Sequence, residues 1–290
     1  MTFEEYQAQA AASDAQEISK NADLSILLLG LSGETGSLLT LYKKWLRDGD
    51  AYQIVEDRLS EEMGDILWYL AAIARRRGLS LDSIARSNLQ KTHSRWLQPE
   101  HCQLFDETRP EPEQLPRSFV AELRDVTDDD GRAVMRMTVD GKSLGAPLTD
   151  NSYANDGYRF HDIFHLALAA NLGWSPVLRA LLHRKRKSEA QLDQVEDGGR
   201  AIAIEEGISA LVFAYATQHS MLLGVTTIDW GLLRTCNDMT IGLEVRSRPL
   251  FAWEKTILKA YEAWRIAIEH HGVRLICDLT TQQFDFEVLH

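Results

Sequence analysis

Leu59-Ser60-Glu61-Glu62-Met63-Gly64-Asp65-Ile66-Leu67-Trp68-Tyr69-Leu70-Ala71-Ala72-Ile73 sets Leu59, Met63, Ile66, Leu67, Leu70 and Ile73 at the spacing of one helix face. The periodicity extends this helix over Ala51 to Arg77, with Gly78 as its stop. On the N-terminal side, Ser25 to Arg47 repeats the pattern through Ile26, Leu27, Leu31, Leu38, Leu41, Tyr42 and Trp45, and Asp48-Gly49-Asp50 offers a C-cap. A shorter helix is expected over Phe3 to Ile18, and Ser80 caps another over Leu81 to Arg95. Four helices joined by short turns predict a bundle over residues 1–97.

The composition agrees with a soluble globular chain. Of 290 residues, 44% are hydrophobic and 26% charged, which excludes collagen-like, mucin-like and wholly disordered proteins. A net charge of -12 and a pI of about 5.2 argue against diffuse binding to nucleic acid or anionic lipid. Three cysteines, Cys102, Cys236 and Cys277, are too few for a disulfide framework and fit a reducing compartment. Met1-Thr2-Phe3-Glu4-Glu5 lacks a basic start and an apolar run, so no signal peptide is expected. The longest uncharged apolar stretch, Ile66 to Ala74, is short for a bilayer span, and a cytoplasmic protein without membrane attachment is the expectation.

Residues 98–117 hold Pro99, Pro110, Pro112 and Pro116 among charged side chains and read as a linker. Beyond it the period drops to two. Phe119 to Leu123 and Ala133 to Val139 flank Asp128-Asp129-Asp130-Gly131, which predicts a β-hairpin. Helices are expected at Tyr158 to Leu172, Val177 to Lys187, Arg200 to Gln218, Ile228 to Leu243 and Leu250 to His271, before a short extended C-terminal piece. The second domain, 118–290, is thus mainly helical with a small hairpin, and the fold class is mainly α.

Two acidic clusters lie on neighbouring helices: Gly33-Glu34-Thr35-Gly36-Ser37 and Glu61-Glu62-Met63-Gly64-Asp65. Glu62 and Asp65 are three apart and Glu61 and Asp65 four apart, so either pair shares a face. Carboxylates within apolar helices need a cation or a basic partner, and an oxygen-rich cage suits Mg²⁺ carrying substrate phosphates. Glycine costs roughly 1 kcal/mol against alanine in a helix, so Gly33, Gly36 and Gly64 suggest close approach of another helix or a ligand. A solvated acidic face is the plainer alternative.

Gly33-Glu34-Thr35-Gly36-Ser37-Leu38-Leu39 and Glu61-Glu62-Met63-Gly64-Asp65-Ile66-Leu67-Trp68-Tyr69-Leu70 resemble the MazG family of all-α nucleoside triphosphate pyrophosphohydrolases, over residues 20–97. That family carries E-x-x-E followed by E-x-x-D. The resemblance implies Mg²⁺-dependent hydrolysis of NTP or dNTP to monophosphate and pyrophosphate, with Mn²⁺ as a substitute ion, in a homodimer or homotetramer. It makes Glu34, Glu62 and Asp65 the catalytic and metal acids, with Glu61 a further metal candidate. Ser37 stands where the second acid belongs. The resemblance also implies a substrate role for Asn88 and Lys91, and less directly Arg95, on the last helix. Trp68 and Tyr69 are read as core in preference to base-stacking rings.

In the second half, His161 and His165 fall at i and i+4 of one helix, a spacing that can chelate a metal, with Asp162 beside them and Glu205 or Glu206 as a third ligand. His183-Arg184-Lys185-Arg186-Lys187-Ser188 is a basic cluster in an acidic chain, and on a helix Arg184 and Lys187 share a face suited to phosphate. With Arg200 after Gly198-Gly199, these residues would line a second pocket: His161, Asp162, His165, Arg184, Lys187, Arg200 and Glu205. This half resembles the C-terminal domain fused to some MazG-like enzymes. Two further functions stay open: a nucleotide-binding sensor without turnover, and a metal-dependent hydrolase centred on His161 and His165.

Overall fold

A computed structural model describes residues 1–13, 20–49, 56–96 and 103–289, which divide into two compact units, Met1–His93 and Ser94–His290. Among the described residues, every regular element of unit 1 is a helix. This unit holds α1 (Phe3–Ala10), α2 (Lys20–Asp48), α3 (Glu56–Arg76) and α4 (Leu81–Trp96). Thr2 and Glu5 close a capping box on α1. Gly49 and Gly78 adopt left-handed φ of 54° and 66° where α2 and α3 end. The parts of the expected helices at 14–18 and 51–55 lie outside the described residues.

The helix α2 packs along α3, with the Tyr69 ring lying over Gly30. A small core of Ala71, Ala74 and Leu81 receives Tyr6 and Ala10 from α1. Gln7 clamps the turn between α3 and α4, donating to the Leu79 carbonyl at 2.9 Å and accepting from the Leu81 amide at 2.9 Å. Trp68 donates its indole N–H to Ser13 Oγ at 2.8 Å. Trp68 and Tyr69 therefore serve packing inside unit 1.

Leu24–Asp48 is long and apolar enough to cross a membrane by length and composition. Counting only the run Ile66 to Ala74 missed it, because serines and glycines interrupt a segment in which Glu34 is the sole charge from Leu24 to Tyr42. In the structure this segment is α2, and its apolar side chains include Leu29 at 73% and Leu39 at 62% exposure.

Unit 2 has a five-stranded antiparallel sheet of order β3-β2-β1-β4-β5: β1 (Ser118–Thr127), β2 (Ala133–Val139), β3 (Lys142–Leu148), β4 (Gly272–Asp278) and β5 (Gln283–Val288). The expected hairpin is its β1–β2 pair, and the C-terminal extended piece supplies β4 and β5. Alternation buries Phe119, Ala121, Leu123, Val273, Leu275 and Cys277 on one face. The opposite face carries cross-strand partners such as Glu122 and Arg274, paired at 2.8 Å. Helices α5 (Asp162–Leu172) and α10 (Leu250–His270) cover the apolar face. Every residue of α5 is buried, so a helix apolar nearly all round forms the centre of the unit. Around it lie α6 (Pro176–Leu181), α7 (Ala190–Val195), α8 (Gly199–Gln218) and α9 (Trp230–Met239).

The proline-rich stretch expected to link two domains packs onto unit 2 from residue 103 onward. Leu115 is 1% exposed, and the buried Asp106 accepts from Arg117, Arg179 and the Leu115 amide at 2.6, 2.6 and 2.8 Å. Proline and charge there encode a buried polar anchor, which composition alone does not distinguish from a solvated tether.

Candidate functional sites

In unit 1, Glu34 lies on α2 and Glu61, Glu62 and Asp65 on α3. Gly30 of α2 meets the Tyr69 ring of α3; Glu34 lies one turn beyond Gly30 on α2, and Asp65 lies one turn before Tyr69 on α3. Glu34 and Glu62 are half-buried; Glu61 and Asp65 are exposed. No three of these acids bring ligating oxygens within 4.8 Å of one another. A Cβ at Gly33, Gly36 or Gly64 would meet nothing within 4 Å, so these glycines line open surface and the close helix approach falls at Gly30 instead. Asn88 is exposed on α4 and lines a groove with Ser80, Ser83 and Ile84. The side chains of Lys91 and Arg95 lie outside the described residues.

In unit 2, His161 and His165 converge with Glu206 of α8, their ligating atoms all within 4.8 Å of one another. The chain reaches this point through Gly157, whose φ of 81° and position against Trp264 and Ile268 leave no room for a Cβ. Its carbonyl accepts from the Trp264 indole at 3.1 Å. A single 3₁₀ turn, Tyr158–Phe160, follows and delivers His161 to the start of α5. His161 Nδ1 lies 2.9 Å from the Tyr158 carbonyl, which can only accept, so Nδ1 carries the proton. The ring stacks on Tyr158 with centroids 4.5 Å apart.

One turn on, His165 is 2% exposed. Its Nδ1 lies 2.8 Å from Glu205 Oε1. Glu205, itself fully buried, is fixed by Ser175 Oγ at 2.6 Å and the Val177 amide at 2.8 Å. Ser175 in turn caps α6 by accepting from the Leu178 amide. Both Nε2 atoms therefore face Glu206 Oε2, at 3.9 Å from His161 and 3.5 Å from His165. Asp162 Oδ1 lies 3.7 Å from His161 Nε2. Burial opposes charge on His165, but the Glu205 carboxylate outweighs it and pushes the ring up to about 10. The His165 ring in turn holds Glu206 below the usual carboxylate range, while burial raises Asp162. The setting favours positive charge at this point.

The structure brings together His161, Asp162, His165 and Glu205 of the expected second pocket, and of the two third-ligand candidates it turns Glu206 toward both rings. Arg184, Lys187 and Arg200 are elsewhere. The helix expected to carry Arg184 and Lys187 ends at Leu181, and His183 turns left-handed with φ of 57°, so these two residues share no helix face. Arg184 donates to the Glu111 carbonyl at 2.8 Å. Lys187 is exposed, and Arg200 is exposed in the first turn of α8. The basic run is a packing device: Arg186, fully buried, grips Asp197 and Glu244, each at 2.8 Å. Glu205 and Glu206 are adjacent in sequence, and only the fold separates the residue that orients His165 from the one that faces both rings.

The MazG nucleotide pyrophosphohydrolase domain matches residues 24–98, and the MazG C-terminal domain matches residues 100–290. Gene 37 protein of Mycobacterium phage L5 is 37% identical over 95 residues, 30% of this chain and 83% of that protein. No solved structure matches. Acids on paired helices in unit 1 and a match extending over the whole of unit 2 lead to one conclusion: this chain belongs to the MazG family, with a nucleotide pyrophosphohydrolase domain followed by a MazG C-terminal domain.

Proposed function

We propose that the acids of α2 and α3 hydrolyse nucleoside triphosphates, NTP or dNTP, to monophosphate and pyrophosphate with Mg²⁺. The observation that carries this reading is that α2 and α3 pack along each other with Glu34 and Asp65 each one turn from the Gly30–Tyr69 contact, on opposite helices. The donor set is all oxygen and lies half-buried or exposed beside glycines with open space, which suits a hard cation that keeps waters and phosphates as ligands. Glu34, Glu62 and Asp65 would hold the ion, with Glu61 alongside; Mn²⁺ fits the same oxygens. When bound, Mg²⁺ supplies charge stabilisation at the phosphate oxygens.

The remaining work falls to this chain's own groups. A carboxylate on α3 orients a water toward phosphorus and accepts its proton. Gly33, Gly36 and Gly64 leave the helix surface bare for the triphosphate. Asn88 donates to substrate from α4, together with Lys91 and Arg95. Ser37 offers only a neutral hydroxyl in place of an acid, which weakens one metal position. The exposed leucines of α2 are covered by a second copy in a homodimer or homotetramer, and the protein works in the cytoplasm.

A panel of NTPs and dNTPs, assayed for pyrophosphate release with Mg²⁺, tests this reading. The wild type should form monophosphate and pyrophosphate in equal amounts, and Glu62→Gln should lower kcat by roughly 100-fold or more. Ser37→Glu should raise turnover. Nucleotide binding without pyrophosphate release from any substrate would replace this reading with a sensor.

A further inference from the structure

We propose that His161, His165 and Glu206 form a site in unit 2 for a borderline divalent transition-metal ion of the Zn²⁺ class. Three features support it. The first is an orphaned atom. His165 Nε2 is buried without a hydrogen-bond partner, and it points at Glu206 Oε2 across 3.5 Å. A buried polar atom without a hydrogen bond is destabilising, so a ligand that fills the gap is expected.

The second is spacing. Hydrogen-bonded pairs of this kind lie at about 2.7–3.2 Å. Two donors around a tetrahedral ion, each at about 2.0–2.1 Å from it, lie roughly 3.4 Å apart. The observed separations of 3.5 Å and 3.9 Å from Glu206 Oε2 to the two Nε2 atoms fall on the ion's side of that comparison.

The third is the support behind the rings. Metal-bound histidines donate their other ring N–H to a carbonyl or carboxylate, which fixes the tautomer and leaves the second nitrogen free. His161 does this through the Tyr158 carbonyl and His165 through Glu205, itself held by Ser175 and Val177. The ion partners that the structure gives to Asp162, Glu205 and Glu206 are the two histidines, so three carboxylates surround two rings. A divalent cation balances that charge. Imidazole donors favour Zn²⁺ and its late transition-metal neighbours over Mg²⁺ and Mn²⁺, which separates this site from the all-oxygen set of unit 1. Glu206 stays half-exposed, so the ion would remain open to a water or a further ligand.

The test is Zn²⁺ binding to the full-length chain, stripped by chelator, reloaded in excess Mg²⁺ and measured by elemental analysis. Wild type and the unit 1 variant Glu62→Gln should each retain one equivalent. His161→Gln and Glu206→Gln should bind it at least tenfold more weakly, with circular dichroism confirming that both fold. Co²⁺ added to the stripped wild type should give the visible absorption of nitrogen-ligated cobalt. Equal Zn²⁺ retention in wild type and both variants, no retention in wild type, or loss of the ion only in Glu62→Gln would each overturn the proposal. If His161→Gln fails to fold, Glu206→Gln and the cobalt spectrum decide by the same outcomes.

Discussion

Glu196 shows how one residue's surroundings set a measurable pH dependence. Burial first, then the nearby Glu244 carboxylate, push its carboxyl up to about 7, against the accepted hydrogen bonds from the Glu244 amide. Folding therefore favours the protonated form. That contribution is fully present below the ordinary value of 4.5 and is lost as pH rises through about 7. Glu196→Gln keeps a neutral acceptor at every pH, so its melting temperature should overtake that of the wild type between about pH 5 and about pH 8. Parallel curves for the two proteins would refute this. Residues also mark the limit of sequence reading. His161 and His165 were legible because i, i+4 on a helix is a local rule. The division of labour between Glu205 and Glu206 was not, since two consecutive helical residues point about 100° apart and only the docking of α8 chooses between them.

At the scale of elements, two segments hold unit 2 in shape. Gly157 starts the turn that presents His161. A methyl group there meets both a left-handed backbone and the Trp264 and Ile268 side chains. Gly157→Ala should cost about 1–3 kcal/mol of stability, read as a lower urea midpoint. The segment after α6 is held by Arg186. Arg186→Met would leave the buried Asp197 with only Arg179, at 3.7 Å, as an ion partner and deprive Glu244 of its own, a loss of about 3 kcal/mol that chemical denaturation would register. Helix periodicity placed α2, α3, α4, α8 and α10 to within a few residues. It overran at α6, because the apolar spacing from Val177 says nothing of the left-handed turn at His183 or of a buried arginine inside a run of charges. The prolines of 98–117 misled for a related reason: composition registers the breaks in regular structure, while the buried Asp106–Arg179 pair depends on residues far apart in the chain.

At the scale of the whole molecule, the two units differ in how much they bury. Unit 2 encloses a continuous core from Leu115 to Phe284, whereas unit 1 leaves Leu28, Leu29, Leu39 and Leu46 of α2 exposed. In the proposed homodimer or homotetramer this surface is the one that a second copy would cover. Substituting Leu29→Glu and Leu39→Glu together should lower the mass seen by light scattering to that of one chain, and an unchanged mass would show that these leucines lie outside the interface. The domain order and the all-α character of unit 1 were readable because both rest on local patterns. The five-stranded sheet was only half readable, since β1 pairs with β4 across some 150 residues and no local rule announces that pairing.

The hydrogen bond from the Trp264 indole to the Gly157 carbonyl gives the protein a reporter of its own. Trp264 packs on Phe213, Phe213 on Tyr158, and Tyr158 on the His161 ring, so two aromatic rings join the indole to the candidate ligand. Any event that shifts His161 should reach the intrinsic fluorescence of Trp264, and occupancy could then be followed optically without an added label.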